Sequence, residues 1–181
     1  MTTIELTPGT WALDQAHTEV GFSVRHAGIS KVRGQFTEAE ATLVVGETLA
    51  TSSVDATVKI ASFDSNNNDR DAHVKGPDFF NAEQFPNMTF TATDVQGTPE
   101  AFRLSGDLTI KATTKPVTFD VEFGGVAVDP FGATRAGFSA STQISRKDFG
   151  ITWNAALEAG GVLVGDKVTI TIDSAFVLPA S

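Results

Sequence analysis

The chain has no cysteine, which removes disulfide staples, thiolate metal ligands and thiol catalysis at once. The redox compartment stays undetermined. Tyrosine is absent too, whereas phenylalanine occurs 14 times and tryptophan twice. Phenylalanine brings apolar area without a hydroxyl that needs a partner, so its excess suits either a dry core or a dry cavity wall. Basic residues are scarce: 13 Lys and Arg stand against 22 Asp and Glu, a net charge of −9 with the acids scattered. This balance argues against nucleic acid or an anionic membrane surface as a main partner. No stretch approaches the roughly 20 apolar residues of a membrane helix. The segment from Met1 to Asp14 lacks a basic region followed by an apolar run. The expectation is a cytoplasmic protein, or a periplasmic or secreted one where a leader has been removed. At 181 residues a single domain is expected, with its core over about 11–178. A homodimer is compatible with this composition.

What is present is apolar residues at every second position. Val20, Phe22 and Val24 share a face, against Glu19, Ser23 and Arg25. Between Gln35 and Val45 the parity changes. Phe36 lies on one parity and Ala39, Ala41, Leu43 and Val45 on the other, and a bulge would reconcile them. Further alternating sets centre on Val54 to Ile60, Met88 to Ala92, Phe102 to Ile110, Val117 to Phe123, Phe138 to Ile144 and Val168 to Phe176. That makes eight strands, most with one apolar and one polar face. Strands buried on both faces would be continuous apolar runs, so a parallel α/β sheet is disfavoured. Short turns at 96–100 and 111–115 favour antiparallel neighbours. An eight-stranded antiparallel up-and-down barrel and a two-sheet sandwich both fit. The barrel is preferred because closure removes exposed edges and leaves room for one small-ligand cavity. Its inward face would carry Phe22, Val24, Phe90, Phe102, Leu104, Phe119, Val121, Phe138 and Ile170.

The connection from Ala61 to Thr93 is unusually long for a compact domain, and such loops usually have a task. Asn66 to Lys75 can form a short helix, with Ser65 or Asn66 as N-cap and Gly76-Pro77 ending it. A second short segment is expected at Ser145 to Phe149. The long connection sets Phe79, Phe80 and Phe85 beside Asp69, Arg70, Asp71 and His73. Aromatics beside polar groups suit a lid over an apolar hole. Phe36 and Phe149 join the expected ligand-binding set. Arg70, His73 and Arg146 are candidates for holding an anionic head group, and His26, Lys31 and Arg33 are expected in the first turn. Equally, Asp69, Asp71 and Asp148 can neutralise Arg70 and Arg146 internally.

Catalytic and metal patterns are missing. His17, His26 and His73 are far apart, and none sits in an H-x-H or H-E-x-x-H pattern, so no metal site is expected. There is no G-x-S-x-G, P-loop or G-x-G-x-x-G, and no cofactor is expected. Asp69 and His73 stand at i, i+4 and can orient a general base or simply form a surface pair.

The chain resembles the YceI-like proteins, a lipocalin-like barrel family described as polyisoprenoid-binding. The likeness runs from Trp11 to about Phe176. It opens on Trp11-x-Leu13-Asp14-x-x-His17-Thr18-x-Val20-x-Phe22-x-Val24-x-His26 and Gly34-x-Phe36. Its most specific part is Ala61-Ser62-Phe63-Asp64, Arg70-Asp71-x-His73, Asp78-Phe79-Phe80, Phe85-Pro86 and Thr89-Phe90. Gly106-x-Leu108-Thr109-Ile110, Thr114-Lys115-Pro116-Val117, Arg146-x-Asp148-Phe149-Gly150 and Val164-Gly165-Asp166 follow in order. Thr18 stands where the family often has Ser, and Ala112 where Gly is common. The resemblance implies a long apolar lipid in the barrel, a polyprenyl chain or an isoprenoid quinone tail, held by a carrier or sequestering protein. Two rivals stay open: an enzyme acting on an amphipathic molecule through Asp69, Arg70 and His73, and a stress-related structural protein with a filled core.

Overall fold

The computed structural model describes residues 6–155 and 163–178. The alternating segments form strands β1 (Gly9–Leu13), β2 (Glu19–His26), β3 (Ser30–Phe36), β4 (Ala39–Val45), β5 (Ser53–Lys59), β6 (Phe63–Asp64), β7 (Asn87–Gly97), β8 (Ala101–Ile110), β9 (Thr113–Val128), β10 (Thr134–Ser145) and β11 (Val164–Leu178). One α-helix, α1 (Asn68–Lys75), lies between β6 and β7. Every pairing is antiparallel.

Three consecutive strand pairs act as single bent staves. β1 and β2 lie along one edge of β11, with Ala12 opposite Val177 and Val24 opposite Val168, and a 3-10 turn at Gln15–His17 between them. β3 pairs with β2 and β4 with β1, and the two continue each other across Thr37 and Glu38. β5 and β6 do the same across the 3-10 turn Ile60–Ser62. The result is eight staves in chain order, closed by β11 against the first. The up-and-down barrel is therefore formed and the sandwich is not.

The parity change between Gln35 and Val45 is a break rather than a bulge. The chain leaves the ladder at Thr37, whose N–H donates to Ser62 O at 3.2 Å, and resumes at Ala39. Bulges occur instead near Ala92/Asp94 and Gly137/Phe138. Lys31 and Arg33 lie on β3, not in a turn. That strand escapes notice because Gly34 replaces an inward side chain. The Phe22 ring occupies the space, and a Cβ on Gly34 would lie 2.5 Å from it.

The barrel has two unlike ends. The long connections 65–86 and 146–155 fold over one of them. Phe79, Phe149 and Ile151 are buried there against Ile110 and Val117, with Trp153 packed on them. Beside them Phe36, Ile60 and Phe63 are buried against Phe22 and Phe80. Helix α1 holds this cover in place. Its N-cap is Asn67, accepting from Arg70 N–H at 3.0 Å, rather than Ser65 or Asn66. The buried Asp71 carboxylate accepts from the Ser65 N–H and hydroxyl, tying the helix to β6. At the other end Trp11, fully buried, packs with Leu6, Val45, Ala136 and Phe176.

Candidate functional site

The interior between these ends is not filled. A cavity of about 230 Å³ runs along the staves and reaches Leu6, Leu49 and Pro99 at the end opposite α1. On β8 its lining extends from Phe102 to Leu108, about 20 Å of strand at ~3.3 Å per residue. The hole follows from an asymmetry of side-chain size. One wall carries Ala39, Ala41 and Leu43 of β4 with Val54, Ala56 and Val58 of β5. The strands from β7 round to β10 carry Phe90, Phe102, Phe119, Phe123 and Phe138, with Phe90 standing next to Ala56 in the β5–β7 ladder. Those rings lean on each other: Phe90 meets Phe119 edge-on at 5.3 Å, and Phe138 lies 5.3 Å from Phe123 and 6.1 Å from Phe176. Ala39, Ala41 and Ala56 bring only a methyl group each to the cavity lining. Glu40 is the one ionisable residue bordering the cavity, and no Lys, Arg or His does so among the described residues.

Of the residues expected to bind ligand, Phe90, Phe102, Leu104, Phe119, Val121, Phe138 and Ile170 line the cavity. Phe22, Phe36 and Phe80 belong to the aromatic cluster around Phe63, with Phe22 stacked on Phe63 at 5.0 Å and Phe80 edge-on to Phe36 at 5.9 Å. Phe79 and Phe149 are spent on the covered end. Val24 and Phe85 are half-buried outside these clusters. The β4 and β5 wall was missed as a site, although its inward parity was readable; the signal was alanine where a packed barrel would carry a large side chain.

The three head-group candidates lie away from the cavity lining. Arg70 donates from Nε to the Ser65 hydroxyl at 2.8 Å and from Nη2 to Ser65 O at 2.7 Å. His73 does not meet Asp69; its Nε2 lies 2.9 Å from Asp78 Oδ2, and its ring is edge-on to Phe79 and Trp153. Arg146 is buried and donates to the carbonyls of Gly165, Ile151, Trp153 and Val164. Neither arginine forms an ion pair with Asp69, Asp71 or Asp148; main-chain and hydroxyl oxygens take their protons. Burial lowers the Arg146 pKa, and the charge of Asp166 opposes that shift.

An ion network lies on the outer surface. Asp14 Oδ2 accepts from Arg135 and lies 2.7 Å from His17 Nδ1, while Arg135 Nε donates to Asp129 at 2.9 Å. Burial would raise the Asp14 carboxyl, but hydrogen bonds and charge from His17 and Arg135 outweigh it and hold the pKa below its ordinary value. The same contest, with Arg135 and the Ala133 and Phe131 amides, lowers Asp129.

Closure in chain order, one covered end and an apolar interior cavity define a lipocalin-like barrel. A family model for the YceI-like domain matches residues 11–176, and the chain belongs to that family. The chain is 40% identical over 134 residues to a UPF0312 protein of Photorhabdus laumondii, covering 74% of this chain and 70% of that one. It is similar to the crystal structure of the Campylobacter jejuni YceI protein, at 34% identity and TM-score 0.72, covering 93% and 97% of the two chains. A polyisoprenoid binding domain from Saccharophagus degradans shares the fold, with TM-score 0.71 at 10% identity and coverage of 96% and 100%.

Proposed function

We propose that the protein binds one long apolar lipid, a polyisoprenoid or an isoprenoid quinone tail, in the barrel and acts as a non-catalytic carrier or store. The observation that carries this reading is the elongated cavity walled by alanine on one side and phenylalanine on the other. Such a wall offers a tail no polar partner and gains by covering it. Each 100 Å² of apolar surface removed from water contributes about 2.5 kcal/mol at ~25 cal/mol per Å². Membership of the family, and the polyisoprenoid-binding description of the Saccharophagus domain, support the choice of an isoprenoid tail.

The test is mass spectrometry of an organic extract of the purified protein. A stoichiometric species with a repeating five-carbon tail is expected. Protein that extracts clean, and that takes up no prenyl lipid from detergent, would reject the carrier reading.

A further inference from the structure

The net charge of −9 hides an uneven distribution. Of the 13 Lys and Arg, only Arg103 and Arg135 stand near the end opposite α1, and carboxylates already hold both. The densest group lies toward the covered end, on the outside of the neighbouring strands β3, β2 and β11. Lys31 stands directly opposite Arg25, and Arg33 opposite Ser23. On the other edge of β2 the ladder skips from the rung Val164–His26 to Val168–Val24, which leaves Lys167 in a bulge beside Arg25. All four cations are exposed, and none forms an ion pair among the described residues. Asp166, in the same bulge, is committed to the Ser145 hydroxyl at 2.6 Å and the Lys147 N–H at 3.1 Å. Glu19 and Asp173, the other acids on β2 and β11, share a rung six residues from Arg25, about 20 Å at ~3.3 Å per residue. Like charges across a rung cost stability. No contact among the described residues offsets that cost. At the end of the row the β2–β3 hairpin turns through two left-handed residues, Ala27 and Gly28, and presents Ile29 at 87% exposure.

We infer that this face docks the protein on a bilayer with anionic head groups, Arg25, Lys31, Arg33 and Lys167 meeting the head-group charge and Ile29 entering the interface. A cationic row with an apolar tip matches such a surface, which sets negative charge above hydrocarbon. A nucleic acid would meet the cations and leave Ile29 in water. The acids toward the opposite end do not prevent docking, because at physiological salt their field decays over about 8 Å. Each Lys or Arg near an anionic leaflet contributes roughly fivefold in partitioning. The inference is independent of what fills the cavity.

Sedimentation of the full chain with vesicles of phosphatidylcholine alone, and with equal parts of phosphatidylglycerol, tests this. The anionic vesicles are expected to bind at least tenfold more tightly, and high salt to remove the difference. Lys31→Glu is expected to weaken that binding at least tenfold while raising the melting temperature, because a carboxylate opposite Arg25 replaces a repelling pair. A damaged fold would lower both. Where that variant fails to fold, Lys31→Gln removes the charge alone and is expected to lose about fivefold. Arg103→Glu makes the same charge change on β8, four strands from β2 in the sheet order, and is expected to leave binding unchanged. Ile29→Ser is expected to weaken binding severalfold without changing its salt dependence. Equal binding to both kinds of vesicle, equal losses in Lys31→Glu and Arg103→Glu, or no vesicle binding at all overturns the docking face. So does self-association that Lys31→Glu abolishes in place of vesicle binding, which gives the row to a second copy of the chain.

Discussion

The guanidinium of Arg146 donates to four main-chain carbonyls and is only 4% exposed. It gathers the segment after β10 onto the start of β11, a task that carboxylate pairing would not perform. Replacing it by Met leaves several buried acceptors without donors, each worth about 1–3 kcal/mol. Arg146→Met is expected to lower stability by about 3 kcal/mol or more in urea denaturation, with Arg146→Lys recovering only part. A loss under about 1 kcal/mol would show that water replaces the fork without penalty. Ala112 poses the opposite case. Lys111 and Ala112 have φ of 51° and 65°, the two left-handed positions of the β8–β9 hairpin turn. A left-handed alanine costs roughly 1–2 kcal/mol, and part of that is returned to unfolded-chain entropy if glycine replaces it. Ala112→Gly is therefore expected to raise stability by about 0.5–1 kcal/mol, read from the same denaturation curves. A destabilised variant would mean the turn tolerates alanine better than its dihedral implies.

At the scale of elements, Asp14, Arg135 and Asp129 strap the 3-10 turn after β1, the β10 strand and the β9–β10 turn together. Both carboxyls have folded pKa values held below the ordinary 3.8, burial being outweighed by their hydrogen bonds and charge partners. A lowered folded value means that the unfolded chain binds protons first as pH falls. The strap's contribution is thus fully present above about pH 5 and is lost as pH drops through 3.8 toward the folded values. The melting temperature of Arg135→Leu is expected to depend less on pH below 5 than that of the unaltered protein. Equal slopes would remove the strap from the account of acid stability. How far such elements were legible depends on their side-chain pattern. β7 to β11 announced themselves because apolar residues recur at every second position on long strands. β1 and β3 did not, since β1 has only five residues, Gly34 interrupts β3, and the barrel closes through pairings remote in sequence. The helix was visible, but its cap was not, because Asn66, Asn67 and Asn68 are chemically equal candidates until the turn before them is built. No local signal announced the Ser65–Asp71 tie.

For the whole molecule, sequence parity told inside from outside but not wall from filling. Phe22, Phe36 and Phe80 face the interior as Phe119 and Phe138 do, yet the first three pack into the cluster around Phe63 and the last two border a void. The difference lies across the barrel, in what stands opposite. Ala41 and Ala56, paired neighbours on β4 and β5, supply the missing volume. This makes the cavity testable without knowing its ligand. Ala56→Phe places a ring into the void from a half-buried strand position. If the cavity is the binding site, the variant binds a prenyl lipid at least tenfold more weakly, because tail and ring compete for one space. Its stability without lipid should hold or rise, since filling a void restores contacts that the lining lacks. Thr57→Phe, one residue along and on the outer face, is the control and should bind as before. Binding and stability changing in opposite directions for Ala56→Phe would be difficult to obtain from a damaged fold. If Ala56→Phe binds lipid normally, the tail lies elsewhere; if it unfolds, Ala41→Leu, a smaller intrusion at the neighbouring position, makes the same comparison.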